Sequence, residues 1–118
     1  FGPSEEIGSA CVVSTDPTYG YSVDNPIRVG GLSLDEFNFS GLDRQNVIFD
    51  NLLGPNGEPV SYERSGSLSS GDTILDAFLL TSTGFSETRT LYIDSYNFEE
   101  LFAPQGFTCA GRFTISAP

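Results

Sequence analysis

The spacing of apolar residues along this chain changes several times, and each change marks an element. Val60, Tyr62 and Arg64 alternate with Ser61 and Glu63, which is the two-residue period of a strand. Arg89 to Tyr96 repeats that period, with Leu91 and Ile93 set against Tyr92, Asp94 and Tyr96. Ile74 to Thr81 (ILDAFLLT) is nearly continuous in apolar residues, the pattern of a central strand covered on both faces. Thr83-Gly84-Phe85-Ser86 reads as the turn that joins Ile74–Thr81 to Arg89–Tyr96 as a hairpin. Shorter alternations predict strands at Ala10 to Ser14, with Cys11 and Val13 on one side, and at Ile27 to Val29. Another falls at Arg112 to Ser116, with Phe113 and Ile115 inward.

One segment follows helical spacing instead. Leu42, Phe49, Leu52 and Leu53, with Ile48 beside them, make a single apolar face, so a helix is expected over about Leu42–Leu53. Ser40 and Asp43 suit its start, where a side-chain oxygen caps free amides and an acid favours the positive helix end. Val47 and Ile48 are β-branched, so packing rather than propensity must hold it. The helix runs into a corner, Leu52 to Ser67 (LLGPNGEPVSYERSGS), around which the chain is organised. Gly54 is expected to close the helix in a left-handed conformation, Pro55 cannot continue it, and Asn56-Gly57 reads as a tight turn in which both residues accept positive φ. The corner reads as helix, turn, strand: a plain connection in preference to a ligand-binding loop.

The remaining segments are irregular in pattern. Phe1 to Gly8 reads as part of an extended N-terminal arm, about residues 1–9, and Leu32 to Phe39 as a partly apolar loop. Ser65 to Thr73 reads as a polar Ser/Gly loop, and Phe98 to Phe102 as one helical turn ending at Pro104. There is no internal repeat. The expectation is one domain over 1–118 of α+β, β-rich fold: a mostly antiparallel sheet of five to six strands with the helix packed on a face.

Composition narrows the chemistry. Sixteen acids face five arginines and no lysine, for a net charge of −11. That balance repels nucleic acid and anionic membrane surfaces. It suits an extracellular protein, a saline environment or cation binding, and it predicts that salt or divalent ions raise stability. No histidine is present, which removes His-based triads, imidazole bases and His-ligated zinc. Two cysteines cannot form a four-thiolate metal site. No apolar run approaches 18 residues, so no transmembrane segment is expected.

Asp24-Asn25-Pro26-Ile27-Arg28-Val29-Gly30-Gly31, Leu53-Gly54-Pro55-Asn56-Gly57-Glu58 and Ser61-Tyr62-Glu63-Arg64-Ser65-Gly66-Ser67 occur in that order. Leu91-Tyr92-Ile93-Asp94 and Ala103-Pro104-Gln105-Gly106-Phe107-Thr108 follow. Together they resemble a family of small bacterial envelope proteins, members of which carry secretion or lipoprotein signals and have no established activity. The resemblance spans roughly Asp24 to Thr108. Family members commonly have a cysteine just after the Gly-Ser; Leu68 stands there in this chain, so any role of that cysteine does not carry over. The resemblance implies a compartment, secreted, periplasmic or at the cell surface, and a fold. In an oxidising compartment Cys11 and Cys109 pair, which in the chain-entropy model stabilises by about 4–5 kcal/mol; the alternative is two buried free thiols.

Several constellations could carry function. Asp76 is the one acid inside the apolar Ile74–Thr81 run. A buried carboxylate needs donors, so an ion pair with Arg64 or Arg89 is expected. Asp76 and Asp94 lie on neighbouring predicted strands and define the alternative of a carboxylate-dependent hydrolase. Asp16, Asp24, Asp35, Glu36 and Asp72 fall in loops and are candidate calcium ligands, although no stretch has the acidic spacing of an EF-hand. The Ser65–Ser70 run lacks the lysine of a phosphate loop. Tyr19, Tyr21 and Phe37 are aromatic candidates for sugar contact, against a packing role. The expected function is a secreted or cell-surface, non-catalytic structural or interaction protein with no cofactor. The sharper form of that expectation is self-assembly through strand addition by the N-terminal arm; the plainer form is an ordinary monomeric envelope protein. A small-ligand or calcium-binding envelope domain is the alternative.

Overall fold

The computed structural model describes residues 11–30, 40–71 and 73–111. Its elements are β1 (Ile27–Arg28), α1 (Ser40–Asn51), β2 (Leu52–Leu53), β3 (Val60–Ser70), β4 (Thr73–Ser82), β5 (Arg89–Asp94) and β6 (Thr108–Cys109). β1, β5, β4 and β3 form one four-stranded sheet in that order, and β2 pairs with β6 in a second, two-stranded sheet. The fold is therefore α+β and strand-rich, with one helix among the described residues. The six strands are divided between two sheets rather than collected in one.

The continuous apolar run becomes the centre of the larger sheet. β4 pairs antiparallel with β3 on one side and with β5 on the other, and only β1 joins parallel, with Ile27 opposite Ile93. Register assigns the two faces, because directly opposed residues share a face and the side-chain period is two. One face carries Tyr62, Phe78, Leu80, Leu91 and Ile93, and α1 packs over it through Ile48 and Phe49. The Phe49 ring lies 4.4 Å from that of Phe78 and 5.1 Å from that of Tyr62. Leu52, Leu101, Ala103 and Phe107 complete the core cluster.

Three expectations about the corner are corrected. The helix ends at Asn51, and Leu52 and Leu53 leave it to pair as β2 with Cys109 and Thr108. Gly54 does not take positive φ; a side chain there would displace the Glu58 carboxylate and crowd Ser82 Oγ. Asn56 does not take positive φ either, and Gly57 does, at 89°. Gly57 N donates to Gly54 O and Gly54 N to Glu58 O, so Pro55-Asn56 is the turn and Gly57 the left-handed residue after it.

Two further segments depart from their sequence reading. Ser65–Thr73 is not a polar loop: it is the second half of β3, the connection across Gly71 and the first residue of β4. Pairing with the apolar β4 outweighs the weak strand propensity of Ser and Gly. A bulge between Arg64 and Gly66 absorbs the irregularity, leaving Ser65 without a partner in register. Phe98–Phe102 is not a helical turn; Phe98 bridges to Val29, and Glu99 N donates to Arg28 O. The Ala10–Ser14 alternation forms a single bridge from Val13 to Ala103. The arm, the Leu32–Phe39 loop and the Arg112–Ser116 strand lie outside the described residues, as do the side chains expected to cap the helix.

Candidate functional site

β3 is the edge of the four-stranded sheet and, at eleven residues, the longest strand. Among the described residues no backbone hydrogen bond reaches its outer side. The bulge divides it into regular stretches, Val60–Arg64 and Gly66–Ser70. Ser61, Glu63, Arg64, Ser65, Ser67 and Ser69 along it are exposed. An edge of this kind offers a row of amides and carbonyls to another extended segment. Where β3 faces α1, Gln45, Asn46, Tyr62, Glu63, Arg64 and Phe78 line a crevice of about 330 Å³.

The crevice ends on a polar network that spans three elements. Arg64 Nη2 donates to Asp76 Oδ1 at 2.9 Å, and Gln45 Nε2 donates to Asp76 Oδ2 and to Ser95 Oγ, each at 2.6 Å. Of the two arginines expected beside Asp76, Arg64 makes the contact. Arg89 does not, because it enters at the first residue of β5, opposite Leu80, four positions along β4 from Asp76. Gln45 was not singled out in the sequence, yet it stands three and four residues before Ile48 and Phe49, at the head of the buried helical stripe. A polar residue on an apolar face is a readable sign of a buried network. Tyr62 Oη donates to Asp50 Oδ1 at 2.7 Å. Loss of solvation, with the Asp50 carboxylate adding to it, pushes that phenol up to about 12.

Asp76 and Asp94 do not converge. Asp76 is opposite Ile93 and Asp94 is opposite Leu75, so adjacent positions place the two carboxylates on opposite faces of the sheet. Asp94 is buried and serves the turn that follows it, accepting from Tyr96 N, Asn97 N and Asn97 Nδ2. It sits in a polar cleft of about 300 Å³ with Asp24, Arg28, Ser70 and Thr73. Arg28 is paired with Glu99 at 2.9 Å.

The loop acids are dispersed. The Asp16 carboxylate accepts from Thr18 N, Thr18 Oγ1 and Asn25 Nδ2, and these bonds, the Thr18 amide foremost, lower its pKa. Asp24 is exposed at the rim of the polar cleft. Asp35, Glu36 and Asp72 lie outside the described residues, and among the described residues no three acids or thiols gather around one point. Tyr19 is a core residue whose hydroxyl accepts from Phe102 N, and Phe37 is outside the described residues.

Tyr21 belongs to an arginine niche. Its hydroxyl donates to Gln105 O at 2.5 Å and accepts from Arg89 Nη1 at 2.8 Å. The Arg89 guanidinium carbon lies 4.7 Å from the Phe85 ring centre and 6.0 Å from that of Tyr21. Gly106, at φ 94°, leaves the space that the guanidinium occupies.

Cys11 and Cys109 form a disulfide, with Cα atoms 6.0 Å apart and a sequence separation of 98. It fastens the start of the described chain to β6, which is itself paired to β2 at the end of α1. Asn51 seals that junction by exchanging side-chain hydrogen bonds with the Gly111 backbone. Among the described residues no helix is long and apolar enough to cross a membrane. Comparison with models of protein families, with curated proteins and with solved structures finds no match to this chain.

Proposed function

We propose that this chain is a secreted or cell-surface, non-catalytic structural or interaction protein that joins copies of itself by strand addition, the N-terminal arm of one copy lying along β3 of the next. The observation that carries this reading is β3: an eleven-residue edge strand whose outer backbone meets no partner among the described residues. Residues 1–10 supply the donor segment in this reading. In extended form they reach about 33 Å, enough to run along most of such an edge. The disulfide favours an oxidising compartment, since thiols of mesophile cytosolic proteins are kept reduced. The divergence of Asp76 from Asp94 weighs against the carboxylate-dependent hydrolase reading.

Light scattering coupled to size exclusion tests the proposal on the full chain across a range of concentrations. Multimers that grow with concentration are expected, and a synthetic peptide of residues 1–10 should shorten them by competing for β3. A monomer at every concentration rejects the reading, and multimers indifferent to the peptide reject the arm as the donor.

A further inference from the structure

We propose that Arg89 anchors a binding site for a carboxylate. The chain has five arginines against sixteen acids, and both Arg28 and Arg64 hold a carboxylate at 2.9 Å. Arg89 holds none among the described residues. Among Arg28, Arg64 and Arg89, the arginines whose side chains are described, it is the exception.

The geometry says how it is kept. Both side-chain hydrogen bonds that Arg89 makes among the described residues leave from Nη1, to Tyr21 Oη and to Gln105 O. Tyr21 Oη spends its own proton on Gln105 O, so it can only accept from the guanidinium. Phe85 covers one face of the group. The plane is thereby fixed on one edge and one face by groups that do not neutralise it.

The opposite edge, made of Nε–H and one N–H of Nη2, is the side-on fork that matches the two oxygens of a carboxylate. No acceptor among the described residues meets it. No fully buried nitrogen or oxygen of a described side chain lacks a partner, so the atoms of that fork are not sealed inside the protein. A receptor held in place before binding loses little freedom when it binds. The ligand class follows from charge: one guanidinium edge suits a monoanion, whereas phosphate or a polyanion would need further cations in a field set by −11. The carboxylate could belong to a glutamate side chain of a peptide or to a free organic acid. The site stands apart from the β3 edge and does not depend on strand addition.

The test is a titration of the full ¹⁵N-labelled chain, following the Nε–H signal of Arg89. The probes are propionate, N-acetylglutamate amide, their neutral counterparts propionamide and N-acetylglutamine amide, and inorganic phosphate. Both carboxylates should move the Arg89 signal saturably, with dissociation constants on the order of millimolar, while the amides and the signals of Arg28 and Arg64 stay still. Tighter binding of the glutamate amide identifies a peptide source, equal binding a free acid, and either outcome supports the site. Arg89→Lys, which keeps the charge and loses the fork, should bind about tenfold more weakly. No saturable shift, an equal response to the amides, or phosphate binding as tight as carboxylate overturns the proposal. So does undiminished binding by a folded Arg89→Lys chain.

Discussion

Gln45 Nε2 and Asp76 Oδ2 lie 2.6 Å apart, and the same nitrogen lies 2.6 Å from Ser95 Oγ. One amide on α1 thus ties the central strand to the residue that follows β5, in a setting where Gln45 and Ser95 are both buried. Both donors of that amide are used, and the second carboxylate oxygen is held by Arg64. Gln45→Leu keeps the volume and removes both bonds, leaving one carboxylate oxygen short of a donor. A loss of about 1–3 kcal/mol is expected, read as a lower urea midpoint. Gln45→Leu combined with Asp76→Leu should cost less than the sum of the two single changes, because the unpaired partner disappears with it.

Phe49 joins the helix to the sheet through its contacts with Phe78 and Tyr62. Phe49→Ala opens a cavity under α1, and a loss of about 3–5 kcal/mol is expected. Denaturant unfolding measures it. A change below ~1 kcal/mol would mean that the helix does not depend on this ring.

Reduction of Cys11–Cys109 should lower stability by about 4–5 kcal/mol in the chain-entropy model, because the closed loop spans 98 positions. The check is a thermal melt with and without reductant, compared with a Cys11→Ser, Cys109→Ser double variant. Equal melting of all three would show that the link contributes nothing.

Burial pushes the phenols of Tyr19 and Tyr62 up to about 12 from an ordinary value of 10.0. A folded-state pKa above the unfolded one means that the unfolded chain releases its proton first. The stabilisation is therefore complete below pH 10 and is lost as pH rises from 10 toward 12. Phenolate absorbance and denaturant midpoints should both record this. Tyr62→Phe should flatten the alkaline decline, and an unchanged slope would remove Tyr62 from the account.

Much of the fold is legible in the residues themselves. The ILDAFLLT run is a central strand because both its neighbours are strands, and its hairpin with β5 follows from two clear periods and a turn between them. The Ser/Gly half of β3 was not legible, because its strand character comes from the apolar strand beside it. Leu52 and Leu53 fit the helical stripe equally well, and only a partner 57 positions away, Cys109 for Leu52, draws them into β2. Asp76 announces itself as an acid in an apolar run. Arg89 does not: nothing local reveals that Tyr21 and Gln105, distant in sequence, hold it on one edge.

The covalent link between Cys11 and Cys109 also decides how the protein bears tension. If residues on either side of this link are tethered and pulled apart, the load passes from one backbone segment to the other through two sulfur atoms. The 97 residues between them carry none of it. Copies joined arm to edge would load the link differently: force entering at β3, inside the loop that the link closes, would have to cross the sheet before leaving through Cys11.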